Sequence, residues 1–268
     1  MSVDRKARIS LRVVALGYLA VLLLVPVALV FYRTFENGIG SFIDSITTPA
    51  AIHALFLTLE VAAITVPLNA IFGVLAAMAL VRGRFPGKRL LDALIDLPFA
   101  ISPVVVGLAL LLVFGRTGWF GPWLTEHGIQ IIFSVPGIVI ATLFVSMPFV
   151  VREVQPVLQE VGDEQEQAAA TLGAGPWQTF WRVTLPAIRW GLAYGVVLST
   201  ARAIGEFGAV SVVSGKIAGE TETLTLLVEK RFQNFDLAGA YAASALLALI
   251  ALTTLFAMSL IGSRRSES

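Results

Sequence analysis

Cysteine is absent from this sequence of 268 residues, and charged side chains are scarce. Without cysteine the chain has neither a disulfide framework nor a thiolate metal site. Only 14% of the residues are charged and 57% are hydrophobic, whereas an average soluble domain carries about 25% charged residues. Because so few charges cannot cover a soluble globule of this length, the composition predicts an integral membrane protein.

Residue patterns typical of several enzyme and nucleic-acid sites are also missing. The two histidines, His53 and His127, lie far apart and do not form the His-x-x-x-His spacing of a zinc site. An intramembrane hydrolase, the competing enzyme class, lacks its nucleophile or metal, since neither Gly-x-Ser-x-Gly nor His-Glu-x-x-His is present. The net charge of +1 leaves no basic stripe for phosphates. We therefore expect no catalytic residue, no metal site and no nucleic-acid partner.

Six apolar segments are long enough to cross a bilayer, whose hydrocarbon core requires about 20 residues of helix. The first follows four basic residues, a start that a signal peptide shares, but it is too long and is not followed by a small-residue cleavage site. We predict an all-α integral membrane fold with about six transmembrane helices in one domain, 13–262, between tails 1–12 and 263–268. The six segments are approximately 13–32, 55–81, 90–115, 131–151, 190–213 and 237–262.

Basic residues are distributed unevenly between the two sides of this topology. With both termini inside, 13 of the 19 Lys and Arg residues fall in inner segments and 5 in outer ones, and Arg202 lies within the fifth span. Cytoplasmic loops carry such an excess. The distribution predicts a multi-pass protein with N-terminus and C-terminus in the cytoplasm. The outer basic residues are Arg33, Arg116, Lys216, Lys230 and Arg231.

The sequence also lacks the patterns of a nucleotide-binding site and of an ion-driven carrier. Gly215-Lys216 invites comparison with a phosphate-binding loop, but Val210 stands where that loop requires its first glycine. We therefore expect no cofactor in this chain. A single-chain carrier would show an internal repeat and several carboxylates within its spans. Six spans without an evident repeat are typical of half of a pore.

Polar residues interrupt the second and third spans. Glu60, Pro67 and Asn69 are expected to face protein or a water-filled cavity, because lipid offers no hydrogen bonds. A hydrogen bond between helices explains Asn69, and a kink explains Pro67, more simply than contact with a substrate. Asp92 and Asp96 share one helix beside a basic loop, which favours a solvated helix start over an intramembrane aspartyl site.

The third span also contains two prolines five residues apart, Pro98 and Pro103, with Ser102 between them. They predict a bent or broken helix of the kind that exposes backbone groups within transporters.

The fifth span carries a buried charge of each sign, Arg202 and Glu206. Each costs on the order of 3 kcal/mol in a membrane helix, so they are expected to pair or to face water. Their four-residue spacing allows a pair within one helix. The alternative is that Arg202, Gly205 and Gly208 line the route of an anion, since the planar donor fork of Arg suits a tetrahedral oxyanion.

A polar segment, 164–186, separates the fourth and fifth spans. Strong helix formers occupy 165–172, and Gly173 and Pro176 end one helix and begin another. The pattern predicts two short helices joined by an elbow. Trp177, Phe180, Trp181 and Thr184 then share one face of the second helix and form a docking surface. The alternative is an amphipathic pair of helices at the membrane interface without a partner.

The segment resembles the cytoplasmic loop that membrane subunits of bacterial ABC importers insert into a groove on their ATPase. That loop is written Glu-Ala-Ala, three residues, Gly, nine residues, Ile, one residue, Leu-Pro. The spacing matches, although Gln stands for Glu and Val for Ile, which puts one polar contact in doubt. The resemblance implies a cytoplasmic coupling loop, 152–189. Its matching residues are Gln167, Ala168, Ala169, Gly173, Val183, Leu185 and Pro186.

Two further runs, 97–107 and 205–215, resemble sulfate and molybdate permease subunits, and the second is closer to the W-type sulfate/thiosulfate subunits. The resemblance implies a type I ABC importer permease in the bacterial inner membrane. The partners that it implies are an ATPase dimer that binds ATP and Mg, a second and paralogous (T-type) permease subunit, and a periplasmic or lipid-anchored sulfate-binding protein. A molybdate/tungstate permease is the alternative. The expected pathway residues are Ser102, Pro103, Arg202, Gly205, Glu206 and Gly208.

Overall fold

The computed structural model describes residues 5–263, with side chains at 12–254 and 256. All regular structure in this range is helical. Most of the predicted C-terminal tail and the first four residues of the predicted N-terminal tail lie outside it.

Fourteen α-helices and two π-helical turns make up the described part of the chain. The helices are α1 Arg5–Leu19, α2 Val25–Phe35, α3 Gly38–Ile46, α4 Pro49–Arg82, α5 Lys88–Ala100, α6 Pro103–Phe114, α7 Gly121–Glu126, α8 Val135–Val161, α9 Glu164–Thr171, α10 Pro176–Thr179, α11 Leu185–Ile204, α12 Val210–Val213, α13 Leu224–Gln233 and α14 Leu237–Ser263; the π-helical turns are Ala20–Leu24 and Phe180–Thr184.

The predicted membrane architecture is confirmed. Four helical runs are long and apolar enough to cross a bilayer alone: Arg12–Phe35, Pro49–Arg82, Val135–Val161 and Leu237–Thr254. The bent pair α5 and α6 turns by 114° and gives a fifth crossing when it is counted as one span; its bend confirms the bent or broken helix that the two prolines predicted. The 20 residues of α11, about 30 Å long at 1.5 Å per residue, match the length of the predicted fifth span.

The predicted end of the fifth span is wrong. The fifth span does not continue to residue 213, because α11 ends at Ile204 and only the short α12 follows. Gly205 and Gly208 weaken the helix after Ile204. The Glu206 side chain accepts a hydrogen bond from the Ala209 N–H at 2.8 Å, which replaces a bond of a regular helix. The segment between the predicted fifth and sixth spans contains α13, whose first N–H, on Leu224, donates to Thr58 Oγ1 at 2.9 Å.

Small residues allow the central helices to approach closely. A Cβ on Gly73 of α4 would lie 2.5 Å from Cγ1 of Val150 on α8, and one on Gly195 of α11 would lie 2.9 Å from the Val150 Cα. Asn69 Nδ2 donates to Ser146 Oγ at 2.8 Å, which confirms the expected hydrogen bond between helices. Because successive residues of α4 meet successive residues of α8, the two helices run parallel and pack as membrane helices do.

Candidate functional site

The elbow, residues 164–186, closes with a left-handed glycine. Gly173 has φ +87° and no atom within 4 Å of the position that a Cβ would occupy. Its N–H donates to the Ala170 carbonyl at 3.0 Å, and the Ala174 N–H donates to the Ala169 carbonyl at 3.0 Å. These two bonds form a Schellman motif, the usual end of a helix before glycine. The predicted elbow after the first helix is therefore confirmed.

The sequence predicted a separate short helix as the second helix of the elbow, and this prediction is wrong. The helix α10 continues through the π-helical turn into α11. The Leu185 N–H donates to the Phe180 carbonyl, five residues back. This wider turn accommodates Pro186, which has no N–H for a regular helix. The second part of the elbow, from Pro176, and α11 therefore form one helical run that ends at Ile204.

The predicted aromatic face divides into an outward and an inward part. Leu172, Trp177 and Trp181 are 89%, 73% and 51% exposed, and the two indole rings lie 5.6 Å apart. Phe180 instead packs against the buried core formed by α4, α8 and α11. The outward part is an exposed apolar surface, a feature that marks contact with a protein or with the membrane.

The matching residues of the loop motif lie at different depths. Gln167, Ala168, Gly173 and Pro186 are exposed, whereas Ala169, Val183 and Leu185 are half-buried. Leu185 contacts the core beside Phe180. The four exposed motif residues and the two tryptophans all lie within residues 167–186, so a partner could reach them together.

A network that the sequence did not reveal holds the elbow against α4. Arg82 Nε donates to Glu166 Oε2 at 3.0 Å, and its other nitrogens donate to the carbonyls of Leu158 and Gly162. Thr184 Oγ1 donates to Glu166 Oε1 at 2.9 Å. Glu166 therefore links the elbow to α4 through hydrogen bonds inside the protein. The positions of Arg82 and Thr184 in the sequence did not predict these contacts.

A second network joins α5 to α8. Arg152 Nε donates to Asp96 Oδ1 at 2.7 Å, and its Nη1 lies 2.9 Å from Asp92 Oδ1. The Asp92 and Asp96 side chains are 45% and 50% exposed, in agreement with the expected solvated helix start, and the structure adds one shared guanidinium that the sequence did not predict. These ion pairs join α5, the first half of the bent pair, to α8.

The predicted pathway residues come together where two helices are broken. We call 101–103 and 205–209 the paired breaks. A Cβ on Gly208 would lie 2.8 Å from the Pro103 Cβ, and one on Gly107 would lie 2.8 Å from the Ala209 carbonyl oxygen. Ser102 and Gly205 are exposed. The structure thus brings Ser102, Pro103, Gly205 and Gly208 into one region.

Arg202 and Glu206 form an ion pair, as their spacing predicted. The Glu206 side chain is 2% exposed and that of Arg202 is 29% exposed. Glu206 also accepts the Ala209 N–H, and its carbonyl accepts the Thr225 hydroxyl at 2.8 Å. The carboxylate is therefore satisfied inside the protein, while part of the guanidinium remains accessible.

Other features near the site are modest. A cavity of about 10 Å³, room for about one water, lies beside Glu206 and is lined by Thr58, Thr142 and Thr223 among others. In the part of the chain that the structure describes, no group of three or more His, Cys, Asp or Glu residues is placed to hold a metal.

Sequence comparisons place this chain among transport proteins. Residues 69–266 match the family described as binding-protein-dependent transport system inner membrane component. The chain is 54% identical over 250 residues to the sulfate transport system permease protein CysW of Synechocystis, covering 93% of this chain and 91% of that one. It is 51% identical to CysW of Escherichia coli K12, covering 90% and 83%. It is also 41% identical to the sulfate permease CysT of the same strain, covering 93% and 90%.

Solved structures agree on the fold. A chain of a bacterial ABC transporter that imports the acidic polysaccharide alginate superposes with a TM-score of 0.79 at 18% identity, covering 95% of this chain and 94% of that chain. A chain of a bacterial alginate ABC transporter in complex with an alginate pentasaccharide-bound periplasmic protein gives a TM-score of 0.78 at 16% identity, covering 97% of this chain and 94% of that chain. The predicted ABC importer permease fold is confirmed, and the chain belongs to the binding-protein-dependent transport system inner membrane component family.

Proposed function

We propose that this chain is the membrane permease subunit of an ATP-driven importer that carries sulfate or thiosulfate across the bacterial inner membrane. The relatives named as sulfate permeases cover more than nine-tenths of the chain. The single structural observation that carries the proposal is the continuous helical run from the elbow into α11. The first turns of this run expose Trp177 and Trp181. Its last turn carries Arg202, which pairs with Glu206 just beyond the end of the helix.

The proposed assembly has four kinds of component. An ATPase dimer binds ATP and Mg and receives the elbow from the cytoplasm, so this chain holds no nucleotide. A second permease subunit completes the pore, because two sulfate permeases of one strain both resemble this chain. A substrate-binding protein delivers the anion on the outer side, as a periplasmic protein does in the alginate transporter. Both termini lie in the cytoplasm.

The proposed mechanism is alternating access. Closure of the ATPases pushes on the elbow, which Arg82, Glu166 and Thr184 hold as one rigid unit. Because α10 and α11 are continuous, the push reaches the paired breaks without passing through a flexible loop. The tilt of α8 and α11 then opens the pathway outward to receive the anion.

The anion route is proposed to pass the paired breaks. Arg202 offers the part of its guanidinium that Glu206 leaves free, and its planar donors fit an oxyanion. The Glu206 carboxylate reduces the net attraction, which prevents a dianion from being trapped. Ser102, Pro103, Gly205 and Gly208 keep side-chain bulk small beside the route.

The test is uptake of radiolabelled sulfate by cells that lack this chain, with and without its restoration. We expect uptake to return with the chain and to fall when excess thiosulfate, but not molybdate, is added. Uptake that never depends on the chain contradicts the sulfate assignment. The assay repeated with molybdate then tests the alternative, which the likeness of 205–209 to molybdate permeases favours.

A further inference from the structure

Glu60 lies on the exposed face of α4, far from any aqueous end of that helix. At the outer end, Arg231 Nη2 donates to the Ser45 carbonyl and to Thr48 Oγ1 at 2.9 and 3.1 Å. At a rise of about 1.5 Å per residue, Glu60 is about 18 Å along the helix from Thr48. These outer groups mark one boundary of the membrane layer.

The inner boundary is given by Arg152, which pairs with two carboxylates of α5. Val150 contacts Gly73, so Arg152 is level with a position about 40 Å from Thr48. This distance agrees with a bilayer of about 40–45 Å including its polar regions. Glu60 therefore lies close to the middle of the layer.

The face that carries Glu60 is apolar and exposed in the part of the chain that the structure describes. Phe56, Ile64 and Ile71 are 66%, 41% and 63% exposed and share this face at helical spacing. Among the side chains that the structure describes, none forms an ion pair with Glu60. Asn69, on the opposite face, is fully buried against α8.

A second polar group lies on the same face. Pro67 is exposed and has no N–H, so the carbonyl of Ala63, also exposed, lacks its regular helical donor. Lipid satisfies neither a carboxylate nor a free carbonyl. Two such groups within one turn are incompatible with a face that contacts lipid alone.

We propose that the α4 face centred on Glu60, with Phe56, Ala63, Ile64 and Pro67, is the contact surface for the paralogous second permease subunit. The partner presents a basic or amide side chain to Glu60 at the middle of the membrane. The inference rests on the proposed function, which supplies that subunit. It adds the surface and the chemistry of the contact, because an apolar helix face with one central acceptor requires one central donor.

The absence of cysteine makes the test direct. Ala63→Cys and Ala62→Cys place one thiol at adjacent positions about 100° apart around the helix: Ala63 is exposed, whereas Ala62 is 6% exposed and packs toward α11. Each variant is labelled with benzophenone maleimide in membranes containing the whole complex and is then illuminated. We expect Ala63→Cys to give an adduct with the second permease subunit, and Ala62→Cys to give none.

An Ala63→Cys adduct with lipid alone, or with a second copy of this chain, overturns the inference. Purification of the unmodified chain provides the separate control. If the second permease subunit does not copurify with it, the proposed function fails; if it copurifies but Ala63→Cys does not reach it, only the surface assignment fails.

Substitution of Glu60 provides an independent measurement. Glu60→Leu is expected to lower the amount of copurified second subunit by about threefold to tenfold, the effect of one hydrogen bond between membrane helices. Glu60→Gln, which keeps an acceptor, is expected to lower it less. If the face met lipid, Glu60→Leu would remove a costly charge and assembly would be unchanged or stronger, which contradicts the proposal.

Discussion

The elbow and the paired breaks each contain an ion pair between an arginine and a glutamate, but the two regions expose different groups. In the elbow, Glu166 is tied to Arg82 and Thr184, and the apolar residues Trp177 and Trp181 face outward. At the paired breaks, Glu206 is buried against Arg202. Gly205 and Gly208 have no side chains there, so their backbone atoms form the surface. One region is rigid with an exposed surface, and the other is narrow with a shielded charge.

If the proposed function is right, one helical run serves two sites. The proposed docking surface requires fixed geometry, which the network of Arg82, Glu166 and Thr184 provides although water weakens each ion pair. The proposed anion pathway requires a donor without excess attraction, which the Glu206 carboxylate beside the Arg202 guanidinium would provide. The predictions below disturb one region while leaving the other intact.

Gly173→Val is expected to have the largest effect. Valine at φ +87° costs roughly 2 kcal/mol or more, so the Schellman motif opens and the docking surface loses its geometry. We expect sulfate uptake to fall more than tenfold, with normal amounts of the chain in the membrane by immunoblot. Gly173→Asn, which tolerates this conformation, is the matched control and should keep most of the uptake. Equal loss in both variants would contradict the conformational explanation.

Gly208→Ala is expected to disturb the paired breaks alone. Its Cβ would lie 2.8 Å from the Pro103 Cβ, and overpacking of this kind costs about 1–3 kcal/mol. Thermal stability of the purified protein should fall, together with uptake. Gly205→Ala is the control for thermal stability alone, because its Cβ meets only the Ala201 carbonyl oxygen at 3.4 Å. A larger loss of thermal stability for Gly205→Ala than for Gly208→Ala would show that the breaks are not packed as described.

Arg82→Gln is expected to loosen the elbow without changing the pathway. Its guanidinium is 22% exposed in the side chain and binds a carboxylate and two carbonyls. After allowance for solvent, we expect a loss of about 1–2 kcal/mol in local stability. Faster amide hydrogen exchange in 164–172 is the measurement. Unchanged exchange would mean that the network does not hold the elbow.

Gln167→Glu is expected to have the smallest effect. Gln167 is exposed, and Glu166 next to it supplies the link to α4. Restoring the residue that the family motif carries should leave uptake within about twofold, since an exposed charge contributes about 0–1 kcal/mol. Uptake rates of matched membranes provide the check, and a severe loss would contradict the outward placement of this side chain.

Local signals in the sequence predicted much of this fold. Gly173 and Pro176 located the elbow, and Pro98 and Pro103 located the bend, because these residues act on their own backbone. The sequence misplaced the end of α11, since the apolar run continues past Glu206 and conceals the side-chain cap on Ala209.

Contacts between distant parts of the chain could not be predicted. Arg82 meets Glu166 across 84 positions, and Arg152 meets Asp96 across 56. No spacing rule connects such pairs, and a basic loop beside an acidic segment allows many alternatives. The contact of Gly208 with Pro103 depends in the same way on how whole helices pack.

The most direct test of the separation between the two regions is copurification of the ATPase subunit with two variants, Gly173→Val and the double variant Arg202→Gln/Glu206→Gln. The double variant removes both charges of the pair, so no buried charge is left uncompensated. We predict that Gly173→Val loses the ATPase and that the double variant retains it at the level of the unmodified chain while sulfate uptake falls. Loss of the ATPase from the double variant, or its retention by Gly173→Val, would contradict the account.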